Sequence, residues 1–135
     1  MNRSPLLLLP LAGMLLLSWG CANKPAPLDP GLINHVVLIT LEDPSDAAEL
    51  ENDCERLLKH IPSVRTYACG GHYDFGRENI NSDYTVGLLV SFNDRDGYGA
   101  YLEDPGHVAL VEKWKTRWTA ATIYDIENDT ATKPY

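Results

Sequence analysis

The run LINHVVLITL, residues 32–41, decides the fold class. Alternate side chains of an extended chain point to opposite sides, so Ile33, His35, Val37 and Ile39 share one face while Val36 and Leu38 share the other. Both faces are apolar and β-branched, which reads as a strand that needs cover in front and behind.

Downstream, Asp43-Pro44 opens a helix, with Asp43 as N-cap, Pro44 in the first turn and Asp46 near the positive end of the dipole. Ala47, Leu50, Cys54, Leu57, Leu58 and Ile61 recur at three and four residues and form its inner stripe. Pro62 stops that helix. Residues 64–72 alternate as a second strand, and Gly70, Gly71, Gly76 and the polar run 79–83 mark a long loop. Residues 84–92 form a third strand, again apolar on both sides. Asn93 or Asp94 caps a helix through Leu102, weakened by Gly97 and Gly99, and Asp104-Pro105 restarts it through Thr119. Val111, Trp114 and Trp118 make its inward stripe, and residues 121–126 a last strand.

The order is βαββαβ, the arrangement of an α+β, ferredoxin-like sheet with both helices on one side. Its other side is then bare and apolar. Two such sheets packed face to face are the simplest closed solution, so a homodimer is expected.

With 135 residues, 44% of them hydrophobic, the chain holds one domain of roughly 100 residues. The expected division is a leader over residues 1–20, a tether over 21–31, the domain over 32–128 and a tail over 129–135. A net charge of -8 speaks against nucleic acid, which needs clustered Lys and Arg. Arg3, an apolar stretch at 6–17 and the small residues Ser18 and Gly20 ahead of Cys21 read as an export signal. Cleavage before Cys21 resembles lipoprotein processing, which would place the domain on the cell envelope, at the outer membrane or periplasmic side. Release as a soluble secreted or periplasmic protein with Cys21 unmodified is the other reading. Pro25, Pro27 and Pro30 make residues 22–31 an extended spacer.

The histidines and cysteines lack the C-x-x-C and H-x-x-x-H spacings of metal sites, and no cofactor fingerprint is present. Measured from the helix end near Ile61, Cys54 lies about 10 Å back and Cys69 about 20 Å onward, which argues against a disulfide between them.

The stretches INHVVLITL, LLKHIPSV, DYTVGLLVSF, AYLEDPGHVALVEKW and TIYDIE, in this order, resemble the stress-responsive dimeric A/B-barrel family over residues 32–128. The most distinctive is A-Y-x-x-x-P-x-H, Ala100 to His107. The resemblance implies a protomer whose sheet closes against a second copy, leaving a cavity in the barrel. Members range from plant heat-stable stress proteins to olivetolic acid cyclase, which uses a Tyr and a His in this segment. Carried over, these are Tyr101 and His107; Val86 and Asp104 stand where the cyclase has further histidines. The resemblance also suggests Val37, Ile39, Leu88, Leu110, Trp118 and Ile123 as apolar wall, with His35 facing the same space.

His107 follows Asp104 at a helix start, where the dipole disfavours its charged form. Three functions are expected from this set. The first is a binding module that holds a small apolar or aromatic molecule in the barrel. The second is a cofactor-free cyclase, isomerase or oxygenase with His107 as base and Tyr101 as polariser. The third is a purely structural oligomer, with His107 and Tyr101 serving only packing.

Overall fold

A computed structural model describes residues 30–128. The leader, Cys21, most of the tether and the tail lie outside the described residues. Strand β1 (Ile33–Leu41) is followed by a 3-10 turn (Pro44–Asp46), helix α1 (Ala47–Leu57), strands β2 (Thr66–Gly70) and β3 (Val86–Phe92), helices α2 (Arg95–Glu103) and α3 (Pro105–Trp114), and strand β4 (Trp118–Glu127). The four strands form one antiparallel sheet in the order β2-β3-β1-β4. This is the expected α+β, ferredoxin-like protomer.

Local chemistry sets the helix starts. Asp43 Oδ1 accepts from the Ser45 N–H at 2.9 Å, Asp94 Oδ1 from Gly97 N–H at 2.7 Å, and Asp104 Oδ1 from Gly106 N–H at 2.7 Å. Pro105 occupies the first turn of α3, where its missing donor costs nothing. Gly106 is required for a different reason: a Cβ there would sit 2.4 Å from the Leu57 carbonyl oxygen, so only glycine lets α3 begin against the end of α1.

The ends of α1 and α3 come earlier than expected. The backbone turns after Leu57, with Ile61 N–H bonded to the Leu58 carbonyl. Helix α3 stops at Trp114, whose carbonyl accepts from Arg117 N–H at 2.8 Å. The Arg117 guanidinium lies 4.0 Å from the centre of the Trp114 ring and pairs with Asp46 and Glu49, holding this turn in place. Trp118 is therefore not on the helical stripe with Trp114. It begins β4, opposite Leu41 and next to the unpaired Thr119, a bulge in β4. A Trp four residues after another fits a helix face and a strand start equally well, and only the closing turn separates the two.

The faces of the sheet differ sharply. His35, Val37, Ile39 and Leu41 of β1 and Val86, Leu88, Val90 and Phe92 of β3 are buried under the helices, against Leu50, Cys54, Tyr101, Leu110 and Trp114. On the opposite face Val36 stands between Leu89 and Tyr124, with Ile126 nearby, and the last three are 37%, 53% and 54% exposed. This bare apolar side is the one the β1 pattern requires.

Gly31 is buried, and its N–H lies 3.3 Å from Ser91 Oγ, so the packed chain starts one residue earlier than the sequence reading set it. The spacing argument for keeping Cys54 and Cys69 apart fails in three dimensions. Because α1 ends at Leu57, Cys54 belongs to its last turn, and β2 returns along the same helix. The two side chains meet, unbonded, between α1 and β2.

Candidate functional site

Between the helix-covered face of the sheet and helices α2 and α3 lies a cavity of about 260 Å³. Its lining includes all seven wall positions named from the sequence, His35, Val37, Ile39, Leu88, Leu110, Trp118 and Ile123, together with Tyr101 and His107. Tyr98, Leu102, Val111 and Ala121 complete it. Its position differs from the expectation of a chamber between two sheets. His35, Val37 and Ile39 share the face of β1 that the protomer's own helices cover, so each protomer encloses its own cavity.

Tyr101 arises from α2 and is 1% exposed. Its ring centre is 5.0 Å from that of Phe92 and 4.6 Å from that of His107. No hydrogen-bond partner for its hydroxyl occurs among the described residues. Burial, with Cys54 and Tyr98 adding to it, raises its pKa, so at neutral pH the phenol keeps its proton and is a donor.

His107 sits in the first turn of α3. Its Nδ1 is 3.1 Å from the Leu102 carbonyl. A carbonyl only accepts, so Nδ1 carries the hydrogen, and in the neutral ring Nε2 carries the free lone pair. Burial lowers the His107 pKa, and the Leu102 carbonyl partly opposes it. Repulsion from His35 lowers it further and Asp104 raises it. The direction matches the sequence expectation, but burial leads, whereas the expectation rested on the helix dipole.

His35 is 4% exposed and is held from across the sheet. Its Nδ1 is 2.7 Å from Asp125 Oδ1, its cross-strand neighbour on β4. The Tyr98 hydroxyl donates to the same carboxylate, at 3.0 Å and 3.1 Å from its two oxygens, and stands 3.0 Å from His35 Nδ1. Burial and the Asp125 carboxylate push the Tyr98 hydroxyl up to about 12. On the far side of Tyr98 and Leu102 opens a wider vestibule of about 560 Å³, bordered by Leu32, Ile33, Arg95 and Glu127. The vestibule is the larger space, but Tyr101 and His107 line only the inner cavity.

The family model described as the Stress Responsive A/B Barrel Domain matches residues 33–128. The chain belongs to this family. A comparison with curated proteins found no match. Among solved structures, this A/B-barrel domain is similar to a family member with a ferredoxin-like fold from Mesorhizobium loti, at 23% identity over 71% of this chain and 95% of that one, TM-score 0.60. It is similar to a dimeric ferredoxin-like protein of unknown function from Thermobifida fusca, at 22% identity over 71% and 90%, TM-score 0.60. The hydroxynitrile lyase of Passiflora edulis shares the fold at 11% identity over 74% and 95%, TM-score 0.63.

Two polar members of the A/B-barrel site escaped the sequence reading. Asp125 shares a strand face with Ile123, a named wall residue, so period-two alternation along TIYDIE was enough to point it inward. Tyr98 carried no such signal, because the glycines on either side blurred the helical stripe of α2. Among the described residues no cluster of three His, Cys, Asp or Glu side chains could hold a metal ion.

The burial of His107 has a measurable consequence. With its folded pKa below the free value of 6.5, the unfolded chain binds the proton first as pH falls. Stability is therefore full above about pH 6.5, declines as pH drops toward the folded pKa, and then levels off. The difference in Tm between the wild-type domain and His107→Gln, followed from pH 8 to pH 5, is expected to narrow on acidification. A difference independent of pH would contradict the burial of this imidazole.

Proposed function

We propose that this A/B-barrel domain is a homodimeric binding module of the cell envelope, tethered through a lipidated Cys21. Each protomer takes one small, largely apolar molecule that carries a carbonyl or phenolic oxygen. The observation that carries this reading is the Tyr101 hydroxyl, which has no hydrogen-bond partner among the described residues and with His107 opens on a cavity that is otherwise mostly hydrocarbon. A ligand oxygen that accepts from this hydroxyl inside an apolar cavity contributes about 0.5–1.5 kcal/mol. A volume of about 260 Å³ favours single-ring molecules. The bare sheet face around Val36, Leu89, Tyr124 and Ile126 supports face-to-face pairing. The leader and the small residues before Cys21 support the tether. Metabolic labelling with a fatty acid that survives Cys21→Ala would refute the anchor.

A second reading is favoured by the same convergence. Nε2 of His107 is a free base beside a phenolic donor, the pair needed to remove a proton next to a carbonyl while stabilising the enolate oxygen. One experiment tests both. Acetophenone in D₂O is followed by proton NMR with the domain present. Binding broadens the ring signals, and Tyr101→Phe weakens it about fivefold, while toluene, lacking the oxygen, is unaffected by that change. If His107 is a base, the methyl signal of acetophenone is also lost to deuterium, and His107→Ala abolishes the exchange. Identical affinities in wild type and Tyr101→Phe would overturn the binding reading; no deuterium uptake despite binding would remove the enzymatic one.

A further inference from the structure

Away from the cavity, the two described cysteines of the domain form a cluster that neither reading uses. Cys54 is fully buried on the inner side of α1, and Cys69 is half-buried on β2, an edge strand of the sheet. Cys69 lies opposite Leu88, on the helix-covered face, so its side chain is directed at α1. Cys69 packs against the buried cluster that contains Cys54, which brings the two thiols together between α1 and β2. Beside them the Tyr67 hydroxyl is buried with no hydrogen-bond partner among the described residues.

We infer that Cys54 and Cys69 are a dithiol that closes to an intramolecular disulfide stapling the last turn of α1 to edge strand β2. The oxidant is a disulfide-bearing thiol oxidoreductase or a small-molecule disulfide. Cys69 is the attacking sulfur, because it is the more accessible of the pair. The neighbouring Cys54 thiol lowers its pKa, against the cost of burial. Cys54 is the reverse case: its contact with Cys69 and its burial raise its pKa, so it stays a thiol until the second step. In the first step the Cys69 thiolate attacks one sulfur of the donor disulfide, that bond breaks, and the departing thiolate takes a proton. In the second, Cys54 gives up its proton and attacks the Cys69 sulfur, expelling the second donor thiol. Two protein thiols are oxidised, one donor disulfide is reduced, and two protons pass to the donor sulfurs. Export to an oxidising compartment would supply such donors, but the pairing depends only on the geometry of the domain.

The test uses the chain from residue 22 onward, which leaves Cys54 and Cys69 as its only cysteines. It is incubated in oxidised glutathione, then alkylated and digested without reductant. The expected product is a single Cys54–Cys69 cross-linked peptide, two mass units lighter than the sum of its reduced halves, from a chain that stays unlinked to others on a non-reducing gel. The oxidised protein melts about 10 °C higher than the reduced form, and Cys69→Ser loses this redox-dependent gain. Both thiols remaining open to alkylation after incubation, or stable mixed disulfides with glutathione in place of the cross-link, would overturn the inference. The peptide map needs no variant, so a poorly folding substitution leaves the test intact.

Discussion

Asp53→Asn is expected to lower the melting temperature by about 15 °C, a loss of about 3 kcal/mol. Asp53 is 7% exposed on α1 and ties that helix to α3. One carboxylate oxygen accepts from Lys113 Nζ at 2.6 Å and Trp114 Nε1 at 2.9 Å, and the other from Arg56 Nη2 at 2.8 Å. Trp114 is wholly buried, so its indole N–H has no water to turn to when the acceptor weakens. Burial by itself would raise the Asp53 pKa. The hydrogen bonds from Lys113, Arg56 and Trp114 outweigh it and hold the carboxyl at about 2.

The sign of the pH dependence follows. A carboxylate depressed in the folded state contributes its full stability above the unfolded pKa of 3.8, and that contribution is lost as pH falls toward 2. Thermal melts of wild type and Asp53→Asn should therefore converge between pH 4 and pH 2. Glu55→Gln serves as the control, because Glu55 pairs with Lys59 on the open surface and such pairs contribute little. If Asp53→Asn proved as mild as Glu55→Gln, the carboxylate would not be what joins α1 to α3.

Ala121→Trp is expected to weaken acetophenone binding at least tenfold, about 1.4 kcal/mol, with little change in Tm. Ala121 lies opposite Ile39 on β4 and borders the inner cavity. Its position on an edge strand is exposed, so an indole there can enter the cavity without displacing the packed core. A cavity of about 260 Å³ has no room for both the indole and a single-ring ligand. Tyr101 and His107 are untouched, which separates blocked space from lost hydrogen bonding. Unchanged affinity would mean that the molecule binds outside the inner cavity, with the vestibule beside Arg95 the place to look. Titration calorimetry with acetophenone distinguishes these outcomes.

The order of elements was legible because each rested on interactions short in sequence. Asp43, Asp94 and Asp104 name their helix starts, and the alternation of residues 33–41 names a strand whose two sides are both apolar. That His35, Val37 and Ile39 share a face was legible for the same reason, whatever packs on it, whereas Leu88, Leu110, Trp118 and Ile123 entered the wall only through the family resemblance. Trp118 was misread because a local spacing served two structures, and the pairs Arg117–Asp46 and Arg117–Glu49, about seventy residues apart, chose between them. Asp125 was available from alternation, but its importance came from His35 and Tyr98, on other elements.

The sequence by itself determined a ferredoxin-like protomer with one uncovered apolar face, and set His35, Val37 and Ile39 on one side of β1, facing the space to which the family resemblance also assigns Tyr101 and His107. It could do so because caps, turns and period-two alternation act over a few residues. Only the tertiary structure decided that this space lies under the protomer's own helices, that Asp125 and Tyr98 hold His35, and that Cys54 meets Cys69. Each of these depends on how far a helix runs before it turns back and which strand then lies beside it, and those are set by packing between segments remote in the chain.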